Sequence, residues 1–251
     1  MKLKLLLLYK ISLVILLFFI GFILAVAIFP SLSLCCSEHK ARTRNNALKR
    51  HWLKSFGRII QLDISKVGDL PHSPTFVVSN HVSWLDIIVL GQFIPGYFVA
   101  KSDISGWPVV GYLARQAGTI FIRRGDKQHI KEIAEKMAWL LQHNSNIMAF
   151  PEGTTTQGDT VLNFHASLFQ PALLTQSTIQ PIAIQYTGLA ENQAPFIGDD
   201  AFLPHLINIL KMDKVAVHVK FLTPISPLDN TRQSISQASR AMILAEVIAS
   251  E

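Results

Sequence analysis

Charged residues and cysteines are scarce in this chain of 251 residues. Asp, Glu, Lys and Arg make up only 16% of the sequence, whereas 49% of the residues are hydrophobic. The two cysteines, Cys35 and Cys36, are adjacent, and neighbouring residues are poorly placed to form a disulfide with each other. We therefore expect neither a disulfide framework nor a metal site built from cysteine.

Several motifs are absent, and each absence disfavours a class of protein. The sequence has no Gly-x-Ser-x-Gly, the nucleophile turn of many serine hydrolases and thioesterases. Its nine histidines show no His-x3-His spacing, so a metal enzyme is not expected. The net charge of +6 suits either nucleic acid or anionic lipid. Because the basic residues are dispersed and no zinc-finger or RNA-binding motif is present, nucleic acid is not an expected partner.

The hydrophobic residues are concentrated before Pro30. Residues 11–29 carry no charge, and they are numerous enough for one helix across a hydrocarbon core about 30 Å thick. More basic residues follow this run than precede it, which favours a main domain on the cytoplasmic face of the membrane. A cleaved signal peptide is the alternative, since 25–27 reads Ala-Val-Ala. We favour a retained anchor because the apolar run continues past that site.

The segment after the apolar run is basic and patterned. Residues 45–60 alternate apolar side chains such as Trp52 and Phe56 with Lys49, Arg50 and Lys54. This pattern predicts an amphipathic helix that either lies in the membrane interface or packs on the main domain. The predicted organisation is therefore a transmembrane anchor over 1–30, a basic amphipathic juxtamembrane segment over 31–60 and a main domain over 61–251.

Apolar runs bounded by turn residues recur along the main domain. They predict strands over 75–79, 97–100, 119–122, 147–150, 182–186 and 215–222. Helical patterns occur over 84–93, 108–116, 127–142, 164–174 and in the tail 231–251. This alternation predicts an α/β fold with a largely parallel central sheet flanked by helices. In such sheets ligands bind beyond the carboxyl ends of strands.

Two polar residues follow the predicted strand 75–79 closely. His81 and Asp86 are five residues apart, so on one regular helix their side chains would point in different directions. They can pair if His81 lies in the turn and Asp86 in the first helical turn, and Ser83 with Asp86 has the spacing of a capping box. Asp86 would then accept the proton on one ring nitrogen of His81 and leave the other nitrogen as a base.

Four blocks, in order, resemble the glycerolipid acyltransferase family, which includes lysophosphatidic acid acyltransferases. The blocks are Asn-His-Val-Ser-Trp-Leu-Asp at 80–86, Gly-Thr-Ile-Phe-Ile-Arg-Arg at 118–124, Phe-Pro-Glu-Gly-Thr at 150–154 and Ile-Gln-Pro-Ile at 179–182. Lys101 and the segment 106–111 are also similar to that family. The resemblance covers roughly residues 70–190 and implies the fold of those enzymes, with the catalytic domain over 61–251.

The resemblance also implies roles for particular residues. His81 would be the general base that removes a proton from a lysolipid hydroxyl, and Asp86 would orient it and stabilise the imidazolium. The acyl donor would be acyl-CoA or acyl-carrier protein, with no metal or other cofactor. The implied acceptor-binding residues are Asn80, Lys101, Arg124, Glu152, Gly153 and Thr154. Arg123 is an alternative to Arg124 for holding an anionic headgroup, since the two neighbours point apart on a strand.

One departure from the family bears on the acceptor. Lysophosphatidate enzymes often have arginine after Glu-Gly-Thr, and this chain has Thr155. The loss of a charged donor shifts the expectation towards other lysolipids, including lyso-ornithine lipid. Two hypotheses from other classes stay open at this point: a hydrolase acting on the same acyl substrates, and a membrane-binding protein without catalysis. The unbroken His81, Asp86 and Glu152 motifs argue against the second.

Overall fold

A computed structural model describes residues 2–71, 74–123 and 127–249 of the protein. The strands are β1 (Leu62–Val67), β2 (Thr75–Ser79), β3 (Gly96–Lys101), β4 (Ile120–Ile122), β5 (Asn146–Ala149), β6 (Thr178–Thr187) and β7 (Val215–Phe221). The helices are α1 (Lys2–Ile23), α2 (Phe29–Cys35), α3 (Glu38–Ile59), α4 (Leu85–Gly91), α5 (Val110–Gln116), α6 (Lys127–Gln142), α7 (Gln170–Leu174), α8 (Leu189–Gln193), α9 (Phe202–Lys211) and α10 (Arg232–Ile248). A π-helical segment, Leu24–Ile28, joins α1 to α2.

The strands form one twisted sheet in the order β1-β7-β6-β2-β5-β3-β4. Neighbouring strands run parallel except for β6 and β7, which are antiparallel. The predicted α/β class with a largely parallel sheet is confirmed, and each of the six predicted strands is present. The sequence prediction missed β1, an edge strand that pairs with β7, and the helices α8 and α9 between β6 and β7.

Strand β2 lies at the centre of the sheet, and all five of its residues are buried. Its side chains alternate between two hydrophobic layers. Val77 joins one layer with α3, α4 and α9, whereas Phe76 and Val78 join the other with α6, α7 and α10. Because β2 pairs with β5 in parallel, the carboxyl ends of both strands reach the same edge of the sheet. That edge brings the segments after residues 79 and 149 together.

The N-terminal helix packs on the main domain along one face. Val14 and Leu17 are buried in the same core layer as α4, and the indole nitrogen of Trp52 in α3 donates to the Leu17 carbonyl oxygen at 2.8 Å. Lys10 Nζ donates to the carbonyl oxygens of Leu210 and Met212, at 3.0 and 2.9 Å. The segment Lys4–Cys35 is long and apolar enough to cross a membrane, by length and composition alone.

The predicted amphipathic helix over 45–60 is the second half of α3. Its apolar face packs on the domain: Phe56 and Ile60 are fully buried, and the Phe56 ring meets the Trp84 ring edge-on at 5.9 Å. Arg50 and Lys54 remain exposed on the opposite face. The apolar side of this helix packs against the domain, and the exposed Lys54 lies away from it.

Candidate active site

The chain leaves strand β2 through Asn80, whose side chain extends the sheet pairing. Its Nδ2 donates to the Ile184 carbonyl oxygen and its Oδ1 accepts from the Ile184 amide, both at 2.9 Å. Asn80 is fully buried. A side-chain amide can mimic a backbone peptide in this way because it carries one acceptor and two donors. Asn80 therefore fixes the backbone before His81 by binding β6, and both ends of its amide are used there.

His81 and Asp86 are in contact. His81 Nδ1 lies 2.8 Å from Asp86 Oδ2, which also accepts from the backbone amides of Val82 and Ser83 at 2.8 and 2.9 Å. The Ser83–Asp86 motif forms half of the expected capping box. The Asp86 carboxylate accepts from the Ser83 amide, while the buried Ser83 hydroxyl has no hydrogen-bond partner among the described residues. The carboxylate on Nδ1 favours the tautomer with the proton there, so Nε2 is the nitrogen that can act as a base.

The His81 ring is held between this carboxylate and an aromatic face. It stacks on Phe150 with the ring centroids 4.0 Å apart and the planes 11° from parallel. Two backbone bonds fix the turn from behind: the Thr156 amide donates to the His81 carbonyl oxygen, and the Phe196 amide donates to the Val82 carbonyl oxygen, each at 2.9 Å. The side chain is 20% exposed and lines a cavity. The ring is therefore fixed in orientation and partly accessible from the cavity, as a general base needs to be.

Glu152 supports the backbone of the site. Its Oε1 accepts from the His81 amide and its Oε2 accepts from the Leu162 amide, both at 2.7 Å. The residue is only 4% exposed, and burial raises the pKa of its carboxyl to about 7, although the two backbone donors act in the opposite direction. Both oxygens bind backbone amides, so the Glu152 side chain holds the chain at His81 and Leu162 in place. Its neighbours Gly153 and Thr154 line the cavity.

Replacing Glu152 with glutamine is expected to lower kcat about 10-fold. The amide nitrogen of glutamine would face a backbone N–H at either His81 or Leu162, so one backbone donor loses its acceptor. If the His81 amide lost its acceptor, the imidazole would be held less firmly in its turn. We expect transfer assays on Glu152→Gln to show this fall, and the exposed Glu191→Gln on α8 serves as the matched control.

The same substitution should change how stability depends on pH. The pKa of the Glu152 carboxyl rises from 4.5 to about 7 on folding, so the folded protein binds a proton that the unfolded chain releases. The corresponding stability is fully present below about pH 4.5 and is lost as the pH rises through about 7. Thermal unfolding measured across this range should show the loss in the wild type and not in Glu152→Gln. If the unfolding temperature depended on pH equally in the two proteins, the raised pKa of Glu152 would not be the cause.

The cavity that His81 lines has a volume of about 980 Å³. Its walls are mostly apolar and aromatic and come from the N-terminal helix, α3, α4, β3, α5 and the loop around Phe196. Lys101, at the end of β3, is among its polar lining residues. A cavity of this size and character can hold a long acyl chain beside a few polar groups.

Lys49 is a partly buried lysine in the cavity wall, and sequence analysis identifies it only as part of a basic pattern. Its Nζ donates to the carbonyl oxygens of Gly96 and Ala117, at 3.1 and 2.8 Å, and lies 4.3 Å from the centre of the Tyr97 ring. Burial lowers the pKa of Lys49 to about 7. These contacts tie α3 to β3 and to the end of α5, so Lys49 closes the wall between those elements.

Arg124 lies outside the described residues, and its predicted headgroup-binding role stays a prediction. Arg123, the alternative, is exposed just after β4. Thr155 uses its hydroxyl to donate to the Phe196 carbonyl oxygen, so it fastens the loop of the Glu-Gly-Thr motif to the loop before α9. In the described ranges no three His, Cys, Asp or Glu side chains are grouped as a metal ion would require.

Comparison with known proteins finds one matching family model and several similar relatives. The family model described as Acyltransferase matches residues 61–185. The lyso-ornithine lipid O-acyltransferase of Pseudomonas aeruginosa is 39% identical over 201 residues, which are 79% of this chain and 78% of the relative. The 1-acyl-sn-glycerol-3-phosphate acyltransferase of Neisseria gonorrhoeae is 35% identical over 173 residues, which are 66% of this chain and 68% of the relative.

A solved structure shares the fold. The crystal structure of the 1-acyl-sn-glycerophosphate acyltransferase PlsC from Thermotoga maritima superposes with a TM-score of 0.69 at 19% identity. The match covers 96% of this chain and 95% of that chain. At this identity the similarity concerns the fold.

Proposed function

Because this chain belongs to the glycerolipid acyltransferase family and is a lysolipid O-acyltransferase, we propose that His81 and Asp86 carry out its chemistry at the wall of the cavity. The observation that carries this proposal is the contact between His81 Nδ1 and the buried Asp86 carboxylate, with the ring lining an apolar cavity. The donor is a fatty acyl thioester, either acyl-CoA or acyl-carrier protein.

The proposed reaction needs one base and no covalent enzyme intermediate. His81 Nε2 takes the proton of the lysolipid hydroxyl as the oxygen attacks the thioester carbonyl carbon. The tetrahedral intermediate then collapses, the C–S bond breaks, and the thiol leaves with the proton returned by the imidazolium. The products are a two-chain lipid and a free thiol. Asp86 stabilises the imidazolium while the proton is on His81.

Lyso-ornithine lipid is the acceptor that we favour, and lysophosphatidic acid is the second candidate. The Thr155 hydroxyl is used by the Phe196 carbonyl oxygen, so the position after Glu-Gly-Thr offers no cation to a phosphomonoester. The P. aeruginosa relative carries the name of a lyso-ornithine lipid enzyme. The N. gonorrhoeae relative is named for the glycerol phosphate acceptor and supports the second candidate.

A panel of lysolipids tests this choice. We expect purified enzyme with a labelled acyl donor to acylate lyso-ornithine lipid with a kcat/KM at least about 10-fold higher than for lysophosphatidic acid. The reason is that Thr155 gives the enzyme no charged donor for a phosphomonoester at that position. Products are identified by mass spectrometry, with acyl-CoA and acyl-carrier protein compared as donors. A preference for the phosphomonoester would contradict the inference from Thr155. Transfer to no lysolipid, with liposome binding retained, would favour a non-catalytic membrane-binding protein.

We propose further that residues 1–30 anchor the enzyme to the membrane, with 31–60 following at the interface and the catalytic domain over 61–251 on the cytoplasmic face. The outward face of the N-terminal helix supports this, since Leu8, Ile15 and Phe19 are each at least 60% exposed. The inward face contributes Phe18 and Ala25 to the cavity wall. An anchor placed in this way would bring the cavity to the lipid from which the acceptor comes.

A further inference from the structure

We infer that Tyr186 is a positioning residue of this active site, because its hydroxyl holds the Asp86 carboxylate that orients His81. The inference rests on the proposed function of the His81–Asp86 pair and extends it to a residue on another strand. No sequence motif contains Tyr186, which is 100 positions from Asp86 along the chain. The pairing of β2 with β6, together with the turn from β2 into α4, brings the two side chains together.

The Asp86 carboxylate is fully buried, so each of its oxygens must find donors within the protein. Oδ2 has three partners: the amides of Val82 and Ser83 and the Nδ1 of His81. Oδ1 accepts from the Tyr186 hydroxyl at 2.8 Å. Without that hydroxyl, Oδ1 would be an anionic oxygen in apolar surroundings and the carboxylate would be free to turn about its Cβ–Cγ bond. Both changes would weaken the alignment of Asp86 with His81.

Tyr186 is itself held rigidly. It lies near the carboxyl end of β6, opposite Val217 of the antiparallel strand β7, and is 7% exposed within the core layer that contains α4. Burial and the nearby Asp86 charge raise the pKa of Tyr186 well above its ordinary value of 10. The phenol therefore keeps its proton at every pH at which a lipid enzyme works. It acts as a fixed hydrogen-bond donor and takes no part in proton transfer to the substrate.

Replacing Tyr186 with phenylalanine removes one oxygen and keeps the ring. We expect kcat to fall about 10- to 100-fold, the usual effect of losing a hydrogen bond to a charged group. KM for the lysolipid should stay within about twofold, since Tyr186 is not among the cavity-lining residues. A role limited to folding would lower the yield of active enzyme and leave the kcat of the folded fraction unchanged.

The pH profile gives a second readout that a structural role would not move. The titratable groups close to Asp86 are His81, Tyr186 and Glu152. The Tyr186 hydroxyl stabilises the His81–Asp86 pair most when the pair carries its full negative charge. Without the Tyr186 hydroxyl, the His81–Asp86 pair should bind a proton at higher pH than in the wild type. This holds whichever of the two residues receives the proton. The acidic limb of the kcat profile should therefore move to higher pH in Tyr186→Phe.

Two comparisons make the test specific. Tyr112→Phe is the matched control, because Tyr112 is 37% exposed and its ring contacts Phe22 away from the cavity lining; it should behave as wild type. In an Asp86→Asn background, adding Tyr186→Phe should lower kcat no more than about threefold. The negative charge of Asp86, to which the Tyr186 hydroxyl donates, is already absent there. If Tyr186→Phe had the kcat of the wild type and the acidic limb of its kcat profile lay at the same pH, the inference would be overturned.

A measurement that does not need activity separates this inference from the proposed function. Histidine labelled with ¹⁵N reports protonation of the His81 ring by NMR in detergent micelles. The His81 signal, assigned by its loss in His81→Ala, should titrate at higher pH in Tyr186→Phe than in wild type. An unchanged titration would count against Tyr186, whereas transfer to no lysolipid by the wild type would count against the function alone.

Discussion

Replacing His81 with alanine is expected to lower kcat for acyl transfer at least about 10³-fold. General base catalysis alone contributes about 10²- to 10⁴-fold. The acceptor hydroxyl has no other described imidazole beside Asp86 that could take its proton, since Asp86 Oδ2 binds His81 Nδ1 directly. The assay is transfer of a labelled acyl group to the preferred lysolipid, with KM measured as well.

The fold of His81→Ala should survive the change. The ring stacks on Phe150 at the cavity wall and is partly exposed, so its removal enlarges the cavity and leaves no sealed void in the core. His218→Ala is the matched control, because His218 is exposed on β7. Thermal unfolding and liposome binding should match the wild type in both variants. Full transfer activity in His81→Ala would show that His81 is not the general base.

The central sheet was predictable from sequence because buried parallel strands consist of nearly continuous apolar residues. Strand β5, with all four residues buried, is an example. Strand β1 escaped prediction for the opposite reason. It is an edge strand with mostly exposed side chains, and it includes Asp63 and Lys66. Its pairing with β7 depends on backbone hydrogen bonds, which residue types do not encode.

The packing of the N-terminal helix was also beyond sequence analysis. Composition predicts an apolar helix but not which face is covered. Lys10, which a hydropathy pattern treats as the flank of a span, is buried and donates to carbonyl oxygens at the end of α9. Trp52 donates to Leu17 in the same way. These contacts join residues far apart in sequence, and only the folded chain reveals them.

Within the site, local contacts were predictable and distant ones were not. His81 and Asp86 are close in sequence, so the helix start at residue 85 limits where their side chains can lie. The resemblance to a family identified Glu152 and Asn80 as acceptor-binding residues. The structure places both side chains on backbone groups of the protein, at His81 and Ile184. Backbone groups carry no sequence signal, which is why the supporting role of these residues could not be inferred.

Replacing Asp86 with asparagine should lower kcat about 10³-fold without disturbing the tautomer of His81. The backbone amides of Val82 and Ser83 both point at Oδ2, so an asparagine must place its oxygen there and its nitrogen at the Oδ1 position. The nitrogen can then donate to the Tyr186 hydroxyl oxygen, which can accept as well as donate. The oxygen still accepts from His81 Nδ1, so Nε2 remains the nitrogen that can act as a base.

What asparagine lacks is the negative charge, and this isolates the electrostatic part of the mechanism. Two unit charges about 4 Å apart attract by about 4 kcal/mol at an effective dielectric constant near 20, which corresponds to roughly 10³-fold in rate. Asp63→Asn is the matched control, because Asp63 is an exposed ion-pair partner of Lys214 on the edge strand. KM and thermal stability should change little in either variant. An Asp86→Asn enzyme within tenfold of wild-type kcat would show that Asp86 orients His81 but does not stabilise its charge during transfer.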